Sequence, residues 1–239
     1  KAVELHQQVA TVMDAVVAKN LLRVQALYQF FPAQADGEAL RLYHANGKDI
    51  AETFLFPRQQ HGEGLCLSDF VAPASSGQQD YVALFAVTCG HGVRELSEQY
   101  REAGDYLRSH ILQALAIEGA EAFAELLHQR LREMWGFADP PELTMRDRFK
   151  AKYRGVRVSF GYPACPRLED QERLFKLLPA TESIGVELTE GYMMEPEASV
   201  SALVFHHPEA KYFSILDDEL IDFEQRLGES ETQSAASAL

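Results

Sequence analysis

An arginine opens the loop from Arg157 to Pro166, which is too rich in glycine and proline to form regular structure. The planar guanidinium of Arg157 matches the geometry of a carboxylate, so it can hold an anionic ligand by bidentate pairing. Gly161 follows four residues later and, having no Cβ, lets the main chain approach a ligand closely. The residues alone leave two interpretations open: Arg157 binds a ligand, or it only fixes its own loop.

A basic run leads into this loop. It holds a single acid, Asp147, and six basic side chains: Arg146, Arg148, Lys150, Lys152, Arg154 and Arg157. The whole chain has a formal net charge of -14, so the run is a local region of opposite sign that could steer an acidic protein towards the loop. The alternative is that these residues form the solvated side of a short helix.

Composition limits the classes of function. A net charge of -14 and a pI of about 5.0 argue against a nucleic-acid backbone as the main partner. No apolar run approaches the roughly 20 residues that span a bilayer, and the N-terminus lacks signal-peptide features, so we predict a cytoplasmic protein. Cys66, Cys89 and Cys165 are odd in number and far apart, which predicts reduced, structural thiols.

Common catalytic and nucleotide-binding motifs are missing from the sequence. No Gly-x-Gly-x-x-Gly turn follows a predicted strand, and His61 to Gly64 is only a weak match that is better interpreted as a turn. Neither a Gly-x-Ser-x-Gly elbow nor a His-Glu-x-x-His helix occurs. His206 and His207 are adjacent in a predicted strand, so they point to opposite faces and cannot readily share a metal.

Apolar spacing predicts the elements that must position the loop. The spacing is helical from Val3 to Val17 and over the long stretch Val93 to Trp135, where Gly119 predicts a break or a close helix contact. A short basic helix is predicted over Leu143 to Tyr153 and another helix over Glu169 to Leu178. The predicted strands are Val24 to Phe31, Ala39 to Tyr43, Thr53 to Phe56, Tyr81 to Val87, Val186 to Met194, Val200 to His206 and Tyr212 to Ile215.

Strands grouped in hairpins with helices between them predict an α+β fold, with a largely antiparallel twisted sheet and helices packed around it. A helix over Asp217 to Leu227 with an acidic first turn closes the fold. We predict one domain over residues 1–227 and a disordered tail over residues 228–239, whose composition is polar and lacks aromatic residues.

The loop sequence also indicates a family. Its core, Arg157-x-x-x-Gly161-Tyr162-Pro-Ala-Cys-Pro166, closely resembles the most diagnostic motif of the activation domain of cobalamin-dependent methionine synthase. Further blocks resemble the family in order and spacing: Leu67 to Pro73, Ala120 to Glu125, Leu188 to Glu190, Pro196, Ser199 to Ser201, and His207 to Tyr212. The resemblance covers nearly all of the chain up to about Leu216.

The resemblance implies a repair reaction. Cob(II)alamin, formed by accidental oxidation of the enzyme, is returned to methylcobalamin by one electron from a flavodoxin or similar flavoprotein and a methyl cation from S-adenosylmethionine (AdoMet). Cobalamin would be bound by another domain of the same enzyme, because none of the eight histidines lies in the Asp-x-His-x-x-Gly arrangement of corrinoid-binding domains. Zinc would occur only in the homocysteine module, which this chain lacks, and no catalytic side chain is expected.

The resemblance also implies the binding residues. Arg157 would pair with the AdoMet carboxylate, with main-chain atoms of Val158, Gly161 and Ala164 beside it. Tyr162 would face cobalamin, Tyr212 and Phe213 would lie beside AdoMet, and Glu121 would lie near its amino-acid end. Phe213 replaces a second tyrosine that family members often have, so a contact made by a hydroxyl would be lost there.

The sequence allows two alternative functions and departs from the family in one respect. The chain could be a non-catalytic AdoMet-binding module that activates a separate corrinoid protein. An autonomous small-molecule methyltransferase is disfavoured because no general base lies in or beside the Arg157 loop. The chain starts at Lys1 inside a helical pattern, which predicts an N-terminally truncated fragment of a larger enzyme that lacks an upstream AdoMet-binding aspartate of the family.

Overall fold

The computed structural model describes residues 2–237 of the chain and the side chains of residues 2–229. Its α-helices are α1 (Ala2–Lys19), α2 (Val93–Glu102), α3 (Tyr106–Met134), α4 (Met145–Arg148), α5 (Gln171–Leu177), α6 (Ala180–Ile184) and α7 (Asp217–Ser237). Its strands are β1 (Gln25–Asp36), β2 (Ala39–Tyr43), β3 (Ile50–Leu55), β4 (Asp80–Thr88), β5 (Val156–Val158), β6 (Glu187–Leu188), β7 (Met194–Glu195) and β8 (Ser199–Phe205).

Six of the strands form one sheet in the order β3-β2-β1-β4-β8-β5. The pairs β1–β2, β2–β3 and β5–β8 are antiparallel. Nearly every residue of β4 and all of β8 are buried, as expected for central strands that are covered on both faces. This arrangement confirms the predicted α+β fold with a largely antiparallel sheet.

The chain divides into two compact units, and the single domain over residues 1–227 stays a prediction. The first unit contains residues 1–29, 84–139 and 174–202, and the second contains residues 30–83, 140–173 and 203–239. Strands β1, β4 and β8 each contribute residues to both units.

Helix packing dominates the first unit. Apolar residues of α2 and α3 form one buried cluster with the residue just before β8: Val93, Leu112, Ala116 and Ala198. Gly119 allows α3 to approach Cys89 closely, because a Cβ at this position would lie 3.1 Å from the Cys89 Sγ. The chain leaves helical geometry near Gly104 instead, where φ is +79°, so the predicted close contact at Gly119 is confirmed and the predicted break is not.

Aromatic residues and ion pairs hold the second unit together. The rings of Phe54 and Phe160 stack at 6.0 Å between centroids, and both side chains are buried. Arg173 pairs with Glu52 at 2.9 Å, and His206 Nε2 lies 2.6 Å from a carboxylate oxygen of Asp80.

Several predicted elements differ from the structure. The predicted helix over Leu143 to Tyr153 is helical only in α4, and the predicted strand over Val186 to Met194 is reduced to the two-residue strands β6 and β7, which pair with each other. No strand forms over Tyr212 to Ile215, because the N–H of Ile215 bonds to the Pro163 carbonyl of a loop instead of a strand. Residues 228–237, predicted to be disordered, continue α7, whose alanine, glutamate and glutamine residues favour helix. Residues 238–239 lie outside the described part of the chain.

Two further predictions can be checked on the described residues. All three cysteines are free and buried, which confirms their prediction as reduced structural thiols, and burial raises the pKa of the Cys165 thiol well above its usual value. A helix long and apolar enough to cross a bilayer does not occur in the described residues.

Candidate functional site

Arg157 occupies the middle of the short edge strand β5. Its two neighbours, Val156 and Val158, are 3% and 0% exposed, whereas Arg157 itself is half-buried. Because successive side chains of a strand point to opposite faces, burial of the two valines turns Arg157 to the other face of the sheet. Pairing of Arg157 with Val204 of β8 fixes this register.

The loop after β5 makes a tight turn from Tyr162 to Cys165. The Cys165 N–H donates to the Tyr162 carbonyl at 2.8 Å, and the Gly161 N–H donates to the Cys165 carbonyl at 2.9 Å. Gly161 has a φ of +80°, and a Cβ there would lie 3.2 Å from a methyl carbon of Leu168, so glycine suits both the backbone conformation and the space.

Ala164 is a central residue of this turn and is only 1% exposed. The N–H at this position of a turn has no partner within the turn. Among residues 2–237, no hydrogen bond involves the main chain of Ala164. A buried donor without a partner is costly, and an acceptor from a bound ligand would satisfy it.

The irregular segment from Lys211 to Leu216 lies against this loop. The Tyr212 hydroxyl donates to the Arg157 carbonyl, and the Ile215 N–H donates to the Pro163 carbonyl at 2.8 Å. Phe213 packs edge-on against Phe70 at 6.3 Å between ring centroids. Tyr162 and Tyr212 are both 56% exposed, so each presents much of its ring to solvent. The second unit thus combines an arginine, a close-approach glycine and exposed aromatic surface in one region.

A second loop, Gln59 to Gly64, holds the same segment from another side. Gln59 Nε2 donates to the Ser214 carbonyl at 2.9 Å, and Lys211 pairs with Glu63 at 2.6 Å. The Glu219 carboxylate accepts from the main-chain N–H of Gln60 and from that of Leu216, and lies 2.8 Å from His61 Nδ1. The sequence had indicated only a turn here, and no spacing rule could have joined residues about 150 positions apart.

Burial and hydrogen bonding act in opposite directions on Glu219. Its side chain is 4% exposed, and burial alone would raise the pKa of the carboxyl. The hydrogen bonds from the Leu216 N–H, His61 and the Gln60 N–H prevail and lower the pKa to about 2. Glu219 is therefore a charged anchor at the start of α7.

Comparison with known proteins identifies the family. The profile described as "Vitamin B12 dependent methionine synthase, activation domain" matches residues 1–228. The chain belongs to this family. Among solved structures, it is similar to the MetH reactivation domain bound to AdoHcy, at 33% identity and a TM-score of 0.86. The match covers 95% of this chain and 73% of the other. The predicted family, and with it the assignment to a domain of a methyltransferase, is confirmed.

The predicted site residues of this activation domain divide between its two units. The second unit contains seven of them: Arg157, Val158, Gly161, Tyr162, Ala164, Tyr212 and Phe213. Glu121 belongs to the first unit, where it is exposed on α3. The roles of all eight stay predictions.

The first unit of the activation domain also contains a cleft of about 290 Å³. Its lining includes Gly92, Arg94, Gln113, Ile117 and Glu195, and none of the eight predicted site residues of the described chain. The Arg94 guanidinium and the Glu195 carboxylate, which both line the cleft, pair at 2.6 Å.

Proposed function

We propose that this activation domain binds AdoMet and presents its methyl group for the reductive methylation of inactive cob(II)alamin, which a neighbouring domain of the same enzyme holds. The observation that carries the proposal is the similarity to a reactivation domain bound to AdoHcy, since AdoHcy is what remains of AdoMet after its methyl group is transferred. In this way the chain supports methionine formation from homocysteine and methyltetrahydrofolate.

The second unit has groups suited to the carboxylate and to the apolar surface of AdoMet. Arg157 offers a fork of donors for the carboxylate, and the exposed ring of Tyr212 and the partly buried ring of Phe213 offer apolar surface for the ligand. The unpartnered N–H of Ala164 suits a main-chain contact, and in this proposal main-chain atoms of Gly161 and Val158 also contact the ligand. In this proposal Tyr162 faces the corrin, and the role of Glu121, which belongs to the first unit, stays a prediction.

These residues bind AdoMet and orient its methyl group. What the bound ligand supplies is a methyl group on a sulfonium, a good leaving group, for transfer to reduced cobalamin. Holding the methyl group in line with its acceptor supplies rate by removing orientational freedom in advance. The proposal therefore assigns no general acid or base to the chain.

The proposed activity requires two partners, an electron donor and the cobalamin-binding domain. The electron comes from a flavodoxin-type protein, which is acidic and would approach through the basic run from Arg146 to Arg157. The cobalamin-binding domain approaches the exposed ring of Tyr162. All of these components are cytoplasmic in this proposal.

Calorimetric titration of the purified chain with AdoMet and with AdoHcy tests the proposal. We expect one site for each, with competition between the two, and no heat with adenosine at the same concentrations, because adenosine lacks the carboxylate that Arg157 would hold. A folded chain that binds neither AdoMet nor AdoHcy would contradict the proposal. Binding without any effect on cobalamin methylation in the whole enzyme would favour the alternative of a regulatory binding module.

A further inference from the structure

The irregular segment from Lys211 to Leu216 contacts the loop after β5 through Tyr212 and Ile215. The Tyr212 hydroxyl donates to the Arg157 carbonyl, and the Ile215 N–H donates to the Pro163 carbonyl at 2.8 Å. The segment is neither helix nor strand, so no regular ladder of backbone hydrogen bonds holds it in place. The position of the exposed Tyr212 ring beside the loop therefore depends on how other parts of the second unit support the segment.

Gln59 holds the segment at Ser214, between the two residues that contact the loop. Its Nε2 donates to the Ser214 carbonyl at 2.9 Å, and its Oε1 accepts from the Leu65 N–H at 3.2 Å. The amide cannot be reversed, because its oxygen would then face a carbonyl and its nitrogen would face an N–H. Gln59 is only 8% exposed, so water competes little for these hydrogen bonds.

The amide of Gln59 is also linked to the charged anchor at the start of α7. Gln59 Nε2 lies 3.4 Å from His61 Nε2, and His61 Nδ1 lies 2.8 Å from a carboxylate oxygen of Glu219. Because a carboxylate only accepts, Nδ1 carries the hydrogen, and in the neutral ring Nε2 accepts from the Gln59 amide. The Glu219 carboxylate also accepts from the Leu216 N–H at 2.8 Å. One network thus holds both the middle and the end of the segment.

The loop that carries Gln59 has a fixed conformation of its own. The Gln59 N–H donates to the Leu65 carbonyl at 2.9 Å, which closes the loop. At its base, the Arg58 guanidinium donates to the Gly64 carbonyl at 2.8 Å and to both carboxylate oxygens of Asp69 at 2.7 Å. The amide donor is therefore in position before any ligand binds, and it needs no further ordering to hold Ser214.

We propose that Gln59 is a positioning residue for AdoMet, because its amide holds Ser214 so that Tyr212 and Ile215 meet the loop after β5. This inference rests on the proposed function, in which Tyr212 lies beside AdoMet. Gln59 acts through Tyr212 and without contact to the ligand. A segment that is held in its binding conformation loses less conformational freedom when AdoMet binds, so the amide raises the affinity.

Two neighbouring side chains contribute less to this support. The ion pair of Lys211 with Glu63 joins the same loop and segment, but its side chains are 49% and 67% exposed, and exposed ion pairs stabilise little. The Gln60 side chain is exposed and donates only to the Arg58 carbonyl, at 3.3 Å, within its own loop. Gln60 is therefore a matched control for Gln59.

AdoMet titration of the purified chain and of three variants tests the inference. Gln59→Glu keeps the shape and the acceptor for the Leu65 N–H, but its carboxylate has no donor for the Ser214 carbonyl. Gln59→Met keeps an unbranched side chain of similar length and removes both hydrogen bonds. We expect the Kd for AdoMet to rise about three- to ten-fold in both Gln59 variants. It should stay within about two-fold of the parent in Gln60→Glu, which adds the same charge one residue away.

Further measurements separate positioning from a merely structural role. In the whole enzyme, the AdoMet concentration for half-maximal reductive methylation should rise in the Gln59 variants, while the rate at saturating AdoMet stays at the parent value. In the ligand-free chain, solvent exchange of the Ile215 N–H, measured by NMR, should be faster in the Gln59 variants and unchanged in Gln60→Glu. The losses in Gln59→Met and Tyr212→Phe should not add in the double variant, because Gln59 acts partly through the Tyr212 hydroxyl.

Parent affinity in folded Gln59→Glu and Gln59→Met variants would overturn the inference. An equal loss in Gln60→Glu would overturn it as well, as would a fall in the rate at saturating AdoMet with an unchanged half-maximal concentration. Failure of both Gln59 variants to fold would make Gln59 a support of the fold as a whole and would also exclude the specific role. A parent chain that binds no AdoMet would instead remove the proposed function, whereas a parent that binds AdoMet with Gln59 variants that match it removes only the role of Gln59.

Discussion

At the scale of single residues, the alternation along β5 gives Arg157 an environment that its neighbours do not share. Val156 and Val158 belong to the core and Arg157 between them is half-buried, while in the loop that follows β5 the Ala164 N–H is without a hydrogen-bond partner among residues 2–237. Positive charge and an open donor on one loop favour a carboxylate ligand.

Arg157→Ala should weaken AdoMet binding by one to two orders of magnitude, because a charge-assisted pair contributes roughly 1.5 to 3 kcal/mol. Calorimetric titration measures the loss. Arg157→Lys keeps the charge but lacks the planar fork of the guanidinium. Its AdoMet affinity should therefore lie between that of the parent and that of Arg157→Ala. Arg146→Ala, which removes an exposed arginine of the basic run, serves as the matched control. Parent affinity in a folded Arg157→Ala variant would remove this residue from the site.

Tyr162→Ala should separate binding from reactivation. The ring is 56% exposed and contributes little to the core, so the variant should fold with a melting temperature close to that of the parent. If the ring faces the corrin, the rate of reductive methylation in the whole enzyme falls while the AdoMet affinity of the chain hardly changes. Equal losses in both measurements would place Tyr162 in the AdoMet site instead.

The residues of this loop could be identified from the sequence more readily than the distant segments that pack against it. Arg157, Gly161 and Tyr162 lie close together along the chain, so a local motif could identify them. The contacts of Glu219 with Gln60 and His61 join segments that are far apart in sequence, and neither segment alone shows a pattern that requires the other. The hydrogen bond from Tyr212 to Arg157 could not be predicted either, because the segment from Tyr212 to Ile215 has the apolar spacing of a strand.

At the scale of elements, strands with strong alternation or continuous burial were predicted within a few residues, as for β2, β4 and β8. Short elements were predicted less well, because tertiary contacts decide them. The segment from Leu143 to Tyr153 has helical composition, but Ala151 adopts a φ of +49° and the chain turns back towards Asp147. The break between α2 and α3 depends on the left-handed conformation of Gly104.

The start of α7 should be sensitive to pH through Glu219. Its folded-state pKa of about 2 lies below the ordinary value of 4.5, so its contribution to stability is complete above about pH 4.5 and is lost as the pH falls towards 2. Glu219→Gln removes the charge and should lower the free energy of unfolding at pH 7. The difference in the free energy of unfolding between Glu219→Gln and the parent should stay constant down to about pH 5 and then decrease.

Urea unfolding at a series of pH values measures this difference. Glu224→Gln is the matched control, since Glu224 is an exposed acid on the same helix. A Glu219→Gln variant as stable as the parent at pH 7, or a deficit that grows on acidification, would show that the carboxylate is not the anchor inferred here.

At the scale of the whole molecule, charge is distributed unevenly. A chain with a net charge of -14 repels an acidic electron donor at long range, and the basic run between Arg146 and Arg157 is the local exception. Steering by such a region raises the rate of encounter and fades as salt screens the charges, with a Debye length of about 10 Å at 0.1 M ionic strength. Reactivation driven by flavodoxin should therefore slow as salt increases.

Lys150→Glu tests this steering more cleanly than a change at Lys152, because Lys152 pairs with Asp147 and supports the turn, whereas Lys150 is exposed. In the whole enzyme, we expect flavodoxin-dependent reactivation of Lys150→Glu to be several-fold slower than the parent at low salt, and the two rates to converge at high salt.

A small chemical reductant needs no docking surface, so with it the variant should match the parent at every ionic strength. Parent rate and parent salt dependence with flavodoxin would mean that the basic run is only a solvated surface. A loss with both reductants would indicate damage to the AdoMet loop that begins seven residues later.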